Sequence, residues 1–401
     1  MNIALVTETY PPEVNGVAMS LSQLVEGLRG RRHEVQVVRP RQKSESTDFV
    51  LSREEITVRG VPIPRYPGLL FGLPCKRRLL KAWKDHKPDI VHVATEGPLG
   101  LSAINAAKQL GVPCTSTFHT NFHSYSQHYN AAFMTSTVLA YLRWIHNKTV
   151  CNMAPTDELR EELAEEGFTN MATLGRGTRT DIFNPFARDE SLRREWGADE
   201  NTTVIIHVSR LAAEKNYELL FETYRQIQDN HPRSVFVVVG DGPEKRKWEE
   251  RFPQARFTGM ISLDERAALA RMYASADLFL YPSLTETYGN VLIEAMACGN
   301  AVLSFDYAAA KLHIRNGVNG LTVTTGSKES FIKESIEIAK DKPRQEYLGT
   351  AAADYAAEYC DWTPIIDRFE NFLKEFGLER SANSGKSVCP VDGYATSGIS
   401  N

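Results

Sequence analysis

The sequence predicts an α/β protein built from two doubly wound, Rossmann-like domains. Short β-branched runs recur along the chain, separated by longer amphipathic stretches, a pattern that pairs parallel strands with covering helices. The runs fall into two groups of four, interrupted over residues 176–194 by a segment with Gly177, Pro185, mixed charges and little periodicity. A length of 401 residues suits two domains, at roughly 100–200 residues each.

In the first group, residues 3–6, 35–38, 90–93 and 114–118 read as strands. Residues 19–29, 98–110 and 137–147 between them read as helices. In the second group the strands are 204–208, 235–239, 278–281 and 301–305, with helices at 218–229, 264–275 and 291–297. Residues 354–376 form a terminal amphipathic pattern broken near Trp362-Thr363-Pro364. The expected layout is an N-terminal domain over 1–180 and a C-terminal domain over 181–355. A terminal helix over 356–378 would cross back to the first domain, followed by a disordered, Ser- and Gly-rich tail over 379–401. Ligands bind beyond the carboxyl ends of strands in such sheets, so two of them facing each other imply an interdomain cleft.

Hydrophobic residues make up 42% and charged residues 24%, which suits a soluble globular chain. The 46 basic and 50 acidic residues leave a net charge of −4, which speaks against a nucleic-acid partner. No apolar run approaches the ~20 residues that span a bilayer. Met1-Asn2-Ile3-Ala4-Leu5-Val6-Thr7-Glu8 lacks a basic leader region and reads as a strand, so a cytoplasmic location is expected. The six cysteines form no CxxC pair, which points to buried thiols rather than a disulfide framework or a zinc site. His119 and His123 are four apart but fall in a post-strand loop, so no metal is assigned to them, and no cofactor is expected.

Four segments carry candidate chemistry, and all follow strands. Asn15-Gly16-Val17 precedes a helix. Gly16 lets backbone approach a ligand and the helix terminus offers N–H groups to an anion, although a plain turn explains it equally well. Arg210 and Lys215 lie five apart at the mouth of the second domain, a spacing that suits a diphosphate clamp and also a solvated basic loop. Residues 280–294 are the most informative: Glu286 lies in the loop, Gly289 and Asn290 begin a helix, and Glu294 lies about one turn in. That helix would aim its N–H groups and positive dipole end at an anion, with a carboxylate on either side to accept sugar hydroxyls, although a Glu in a first turn stabilises any helix. Gly240-Asp241-Gly242-Pro243 closes another strand, either as turn chemistry or as the floor of a base pocket.

Together these segments resemble the retaining GT-B glycosyltransferases of family 4, over residues 1 to about 378. The resemblance rests on Glu286 and Glu294 with seven residues between, and on Pro282-Ser283 and Glu294-Ala295-Met296-Ala297-Cys298-Gly299 around them. Arg210 with Glu214-Lys215-Asn216, Gly240-Asp241-Gly242-Pro243 and Asn15-Gly16-Val17 match as well. His119-Thr120-Asn121-Phe122 and Gly175-Arg176-Gly177 with Phe183-Asn184-Pro185 are similar to the branch of GDP-mannose-dependent α-mannosyltransferases and sulfoquinovosyl-diacylglycerol synthases.

The resemblance implies an acceptor-binding N-terminal domain and a nucleotide-sugar-binding C-terminal domain. Gly16 would face the donor phosphates and His119 the transferred sugar. Arg210 and Lys215 would bind the diphosphate, Glu286 would orient the sugar, Glu294 would take the ribose hydroxyls, and the N–H groups of Gly289, Asn290 and Val291 would complete the phosphate nest. One loop departs from the family pattern. Asp306-Tyr307-Ala308-Ala309-Ala310-Lys311-Leu312-His313 has alanines where relatives carry glycines, and Leu312 where they carry Glu. Nothing is assigned to it.

The implied reaction is metal-independent transfer of a hexose to a lipid or glycan acceptor, from GDP-mannose or alternatively from a UDP-hexose. Residues 69–84 place five cations beside apolar residues and Trp83. That suits either a helix resting on the anionic inner leaflet of a membrane or one packed on the sheet. Two rival readings use the same scaffold: a metabolic enzyme such as a sugar-nucleotide epimerase or phosphorylase, and a two-lobed sugar-binding protein.

Overall fold

The computed structural model describes residues 1–13, 15–42, 45, 48–62, 70–119, 132–262, 265–284 and 288–378. The expected tail over 379–401 lies outside them. The chain divides into two compact units, Met1–Arg176 together with Thr363 onward, and Gly177–Trp362.

The first unit is built on a parallel sheet of β1 (Asn2–Val6), β2 (Glu34–Pro40), β3 (Glu55–Val58), β6 (Ile90–Val93), β7 (Cys114–Thr117), β8 (Cys151–Ala154) and β9 (Met171–Thr173). Their order is β3-β2-β1-β6-β7-β8-β9. A small antiparallel ribbon joins β4 (Gly60–Pro62) to β5 (Leu70–Gly72). The helices are α1 (Gly16–Gly30), α2 (Lys76–Asp85), α3 (Pro98–Leu110), α4 (Ala132–His146) and α5 (Asp157–Glu165). The central strands are buried on both faces, which is why they read as continuous apolar runs. Ala4, Val6, Val91 and Val93 share one core with Leu99 and Ala103 of α3.

Residues 69–84 do not form a single helix. Leu70–Gly72 is β5, and α2 begins only at Lys76. Leu79 and Trp83 are buried, and the Trp83 indole N–H donates to Gln36 Oε1 at 3.0 Å. The tryptophan therefore fastens α2 to the sheet, while Lys76, Arg77, Lys81 and Lys84 stay exposed.

The second unit has a parallel sheet of β10 (Thr203–Val208), β11 (Ser234–Val239), β12 (Arg256–Gly259), β13 (Leu278–Tyr281), β14 (Ala301–Phe305) and β15 (Leu321–Val323). Their order is β12-β11-β10-β13-β14-β15. Its helices are α6 (Glu190–Glu195), α7 (Tyr217–Asn230), α8 (Lys245–Arg251), α9 (Arg266–Ala274), α10 (Asn290–Ala297), α11 (Ala308–His313), α12 (Lys328–Lys340) and α13 (Lys342–Tyr359). Alternate strand residues feed two separate cores. Ile206, Val237 and Phe279 join Met296 of α10 in one; Ile205, Phe236 and Leu280 join Phe221 of α7 in the other.

The terminal amphipathic pattern resolves into two helices, α13 and α14 (Trp362–Leu378), with the break at Cys360-Asp361. From Thr363 on, α14 belongs to the first unit. Phe369 meets His92 edge-on at 4.8 Å between ring centroids, Glu370 Oε1 contacts His33 Nε2 at 2.8 Å, and Asp367 pairs with Arg31. The two places where the chain passes between units run side by side: Thr178 N–H donates to Cys360 C=O at 2.7 Å. No helix among the described residues is long and apolar enough to cross a membrane. Among the described residues the cysteines form no disulfide; Cys114, Cys151, Cys298 and Cys360 are buried and Cys75 is half-buried.

Candidate functional site

In the second unit β10 pairs with β11 on one side and β13 on the other. The chain winds outward in both directions from that pair, so the carboxyl ends of β10 and β13 flank the topological switch point where such sheets bind ligands. The loops after β10, β11 and β13 meet there.

Arg210 is exposed and Lys215 half-buried on the loop after β10. The loop ends in a 3-10 turn, Ala213–Lys215, and Asn216 takes a left-handed conformation with φ 58° before α7. The Asn216 side chain donates to the Pro282 carbonyl at 3.1 Å, which ties the Arg210–Lys215 loop to the loop after β13. Gly240, with φ 134°, sits so close to this loop that a Cβ on it would lie 2.0 Å from Ser209 O. Leu211 N–H donates to Asp241 C=O at 2.9 Å, which joins the loops after β10 and β11.

Helix α10 starts at Asn290, as the sequence suggests. Its N-cap is Gly289 at φ 99°, a residue with no side chain of its own to cap the first turn. Gly289 supplies the left-handed φ that other residues adopt only under strain. The amides of a helix start and its positive dipole end are thereby presented at the switch point. Glu294, one turn in, is half-buried. Burial pushes its carboxyl up to about 7, against the opposing charge of Arg266 and a hydrogen bond from Tyr273. The Tyr273 hydroxyl donates to Glu294 Oε2 at 3.3 Å. Val291 is half-buried in the same first turn. Glu286 lies outside the described residues.

A buried relay at this point escaped sequence reasoning. His207 Nδ1 is 2.8 Å from Leu280 C=O, and its Nε2 is 2.9 Å from Ser209 Oγ. A carbonyl can only accept, so Nδ1 carries the proton and Nε2 accepts from Ser209. Ser209 Oγ in turn lies 2.9 Å from the Tyr217 hydroxyl. Burial, helped by the nearby charge of Lys215, pulls the His207 pKa down to about 4, so the ring stays neutral. It cross-links β10 to β13 beneath the candidate anion site.

In the first unit the corresponding switch lies between β1 and β6. Gly16 opens α1 after β1, as expected, but the amides behind it are not open. Asn15 caps the helix, its Oδ1 accepting from Val17 N at 3.1 Å and Ala18 N at 2.9 Å. The N-cap preference of asparagine carried that signal in the sequence. Glu8, buried at the end of β1, accepts from Leu99 N at 3.1 Å. Burial raises its carboxyl to about 7 despite that bond.

His119 lies just past β7. Arg176 Nη2 donates to its Nδ1 at 2.9 Å. A guanidinium only donates, so the ring's proton sits on Nε2. Burial, reinforced by the charge of Arg176, holds the His119 pKa well below 6.5. Its Nε2 is buried and has no hydrogen-bond partner among the described residues. A neutral imidazole with a committed Nδ1 and an unused N–H is a ready donor to a neutral oxygen such as a sugar hydroxyl. His123 lies outside the described residues. Among the described residues no cluster of three or more His, Cys, Asp or Glu could hold a metal ion.

Comparison with known proteins finds relatives along most of the chain. A family model described as Glycosyltransferase Family 4 matches residues 14–182, and one described as Glycosyl transferases group 1 matches residues 188–355. A GDP-mannose-dependent alpha-mannosyltransferase of Corynebacterium glutamicum is 30% identical over 356 residues, covering 88% of this chain and 84% of the relative. A sulfoquinovosyl transferase of Arabidopsis thaliana is 28% identical, covering 92% of this chain and 72% of the relative. Among solved structures, HepE of Anabaena in complex with UDP superposes with a TM-score of 0.74 at 18% identity, covering 94% of this chain and 100% of that one.

Proposed function

Because the chain belongs to the family 4 glycosyltransferases of GT-B fold, and is therefore a hexosyltransferase, we propose that it moves mannose from GDP-mannose to a lipid or glycan acceptor, with retention of anomeric configuration and without a metal. The observation that carries this reading is the start of α10. Gly289 opens it at φ 99° and has no side chain of its own to cap it, and it stands at the switch point beside the loop of Arg210 and Lys215. Helix amides and a pair of cations together suit a diphosphate.

In this reading Arg210, Lys215 and the N–H groups of Gly289, Asn290 and Val291 hold the diphosphate, and Gly16 faces it. Gly240 lets the loop after β11 close on Ser209 and so form the floor of the base pocket. Glu294 accepts the ribose hydroxyls, Glu286 orients the sugar, and His119 donates its Nε2–H to a sugar hydroxyl. As the bond from the anomeric carbon to the β-phosphate oxygen breaks, negative charge grows on that oxygen, where the cations and the helix terminus stabilise it. The acceptor hydroxyl bonds to the anomeric carbon on the same face, and its proton passes to the departing phosphate oxygen. The products are the glycosylated acceptor and a nucleoside diphosphate. The named activity of the mannosyltransferase relatives supports GDP-mannose. The exposed cations of α2 support peripheral contact with an anionic leaflet, now without Trp83.

A thermal-shift screen of GDP-, UDP- and ADP-sugars tests the donor, since a ligand bound only by the native state raises its stability by mass action. GDP-mannose should give the largest shift; a larger shift with a UDP-hexose would reassign the base. Nucleotide release measured with and without acceptor separates the rivals. An epimerase would interconvert the sugar without acceptor, and a binding protein would release no nucleotide. Loss of activity in excess EDTA would overturn the metal-free step.

A further inference from the structure

The loop that departs from the family pattern lies against the donor-binding terminus. Ala308 holds a left-handed φ of 52°, a strained conformation for alanine. Such strain persists where surrounding contacts over-determine it. Two contacts do so, and both fall on Tyr288, the residue immediately before Gly289. Ala309 N–H donates to the Tyr288 carbonyl at 2.9 Å. One turn later His313 Nε2 stands 2.6 Å from the Tyr288 hydroxyl. A single short helix, α11, thus grips Tyr288 at its backbone and at its tip.

The far side of His313 is also engaged. Its Nδ1 lies 3.3 Å from the Tyr355 hydroxyl of α13 and 3.7 Å from Cys360 Sγ. Both tyrosine rings meet the imidazole edge-on, at 5.8 and 6.0 Å between centroids. Asn319 donates to the His313 carbonyl at 3.0 Å and fixes its backbone. Burial keeps the ring neutral, with its pKa pulled down to about 4. A neutral imidazole has one donor and one acceptor nitrogen, so it can serve one tyrosine with each. Tyr288 and His313 are both buried, so neither contacts bulk water in exchange.

We propose that His313 is a positioning residue for the donor: by gripping Tyr288 it fixes Gly289 and the first turn of α10, and it anchors that turn to Tyr355 and Cys360. This rests on the assignment of α10's start as the diphosphate site. His313 acts through Tyr288 and does not itself touch the donor. The replacement of glycines by alanines in α11 is then part of the device, because Ala308 carries the bend that brings Ala309 and His313 to the same partner.

The test is a double-mutant cycle of Tyr288→Phe and His313→Gln, with Tyr355→Phe as a comparison, read by calorimetric affinity for GDP and for UDP together with the thermal midpoint. Tyr288→Phe removes one oxygen and leaves the packing intact. It should weaken the better-bound nucleotide about tenfold, the loss that one buried hydrogen bond typically carries. His313→Gln, whose amide reaches nearly as far, should lose less than His313→Phe. The double variant should be no worse than Tyr288→Phe alone within about twofold, because both act through one contact. Tyr355→Phe removes an anchor of His313 but leaves the Tyr288 contact in place, so it should weaken nucleotide binding by less than Tyr288→Phe does.

If Tyr288→Phe and His313→Phe lower the thermal midpoint but leave nucleotide affinity unchanged from the parent, the role is structural only and the proposal is overturned. Losses that multiply in the double variant overturn it as well. A parent protein that binds neither GDP nor UDP would instead refute the donor-site reading, and this proposal would fall with it.

Discussion

Replacing Glu294 by glutamine should raise stability and lower activity, each in a defined pH range. Burial holds the Glu294 carboxyl at about 7, against an ordinary 4.5. In the folded protein the group keeps its proton up to that value, whereas in the unfolded chain it releases it near 4.5. Between those values the native state binds more protons, so the contribution of Glu294 is fully present below the lower value and is lost as pH rises through the upper one. The gap corresponds to about 3 kcal/mol, at ~1.4 kcal/mol per pH unit. Glutamine does not titrate, so denaturant unfolding should show the variant more stable than the parent by up to about 3 kcal/mol near pH ~8 and by nothing near pH ~4. Glu8 has the same raised carboxyl in the other unit, and it cancels in the difference between parent and variant. Activity moves the other way. Only the ionised carboxylate accepts a pair of ribose hydroxyls, and about one-tenth of molecules carry it near pH ~6 against about nine-tenths near pH ~8. The kcat/KM for donor, which reports the free enzyme, should therefore rise about tenfold over that range in the parent and stay flat in the variant. A flat parent profile, or an acid limb that survives in the glutamine variant, would remove Glu294 from the donor site.

Lys215→Ala and Arg210→Ala should each lower turnover by about 10²–10³, the usual loss when one preorganised charge is removed from a developing anion. Steady-state nucleotide release measures it, and near-normal rates would exclude both from the site. Gly289→Ala forces a side chain into φ 99°; it should cost about 1–3 kcal/mol and weaken GDP or UDP binding more than it lowers the unfolding midpoint. Asn216→Gly keeps the left-handed backbone but loses the bond to Pro282; it should raise the donor KM with little change in overall fold, as followed by circular dichroism.

The central strands were legible because each is an apolar run buried on both faces. The last two strands of the first unit's sheet, β8 and the edge strand β9, were not. β8 reads Cys-Asn-Met-Ala and β9 reads Met-Ala-Thr, neither an apolar run nor an alternation. Asn152 sits buried in β8 because Ser116, Thr149 and the Thr169 carbonyl, from other elements, satisfy its amide. In the candidate site, Arg210, Lys215, Gly240 and Gly289 were legible because each follows a strand whose position the apolar runs mark. The ties between them were not. Asn216 reaches Pro282 across 66 residues, and Arg176 reaches His119 across 57. Single-sequence periodicity holds no information at that range. The start of α1 is a different case: Asn15 stands in plain view in the sequence, and a capped terminus follows from its chemistry.

The return of α14 to the first unit sets an order of assembly. Residues 1–176 leave the ribosome before the second unit, yet the surface of α1 and the face of β6 around His92 wait for Phe369, Asp367 and Ile366, which are made after it. Gly27 lies so near Ile366 that a methyl group there would collide with it. The first unit is thus begun before the second and completed after it, and a fragment ending at Arg176 would leave an apolar stripe of nascent chain for chaperones to shield.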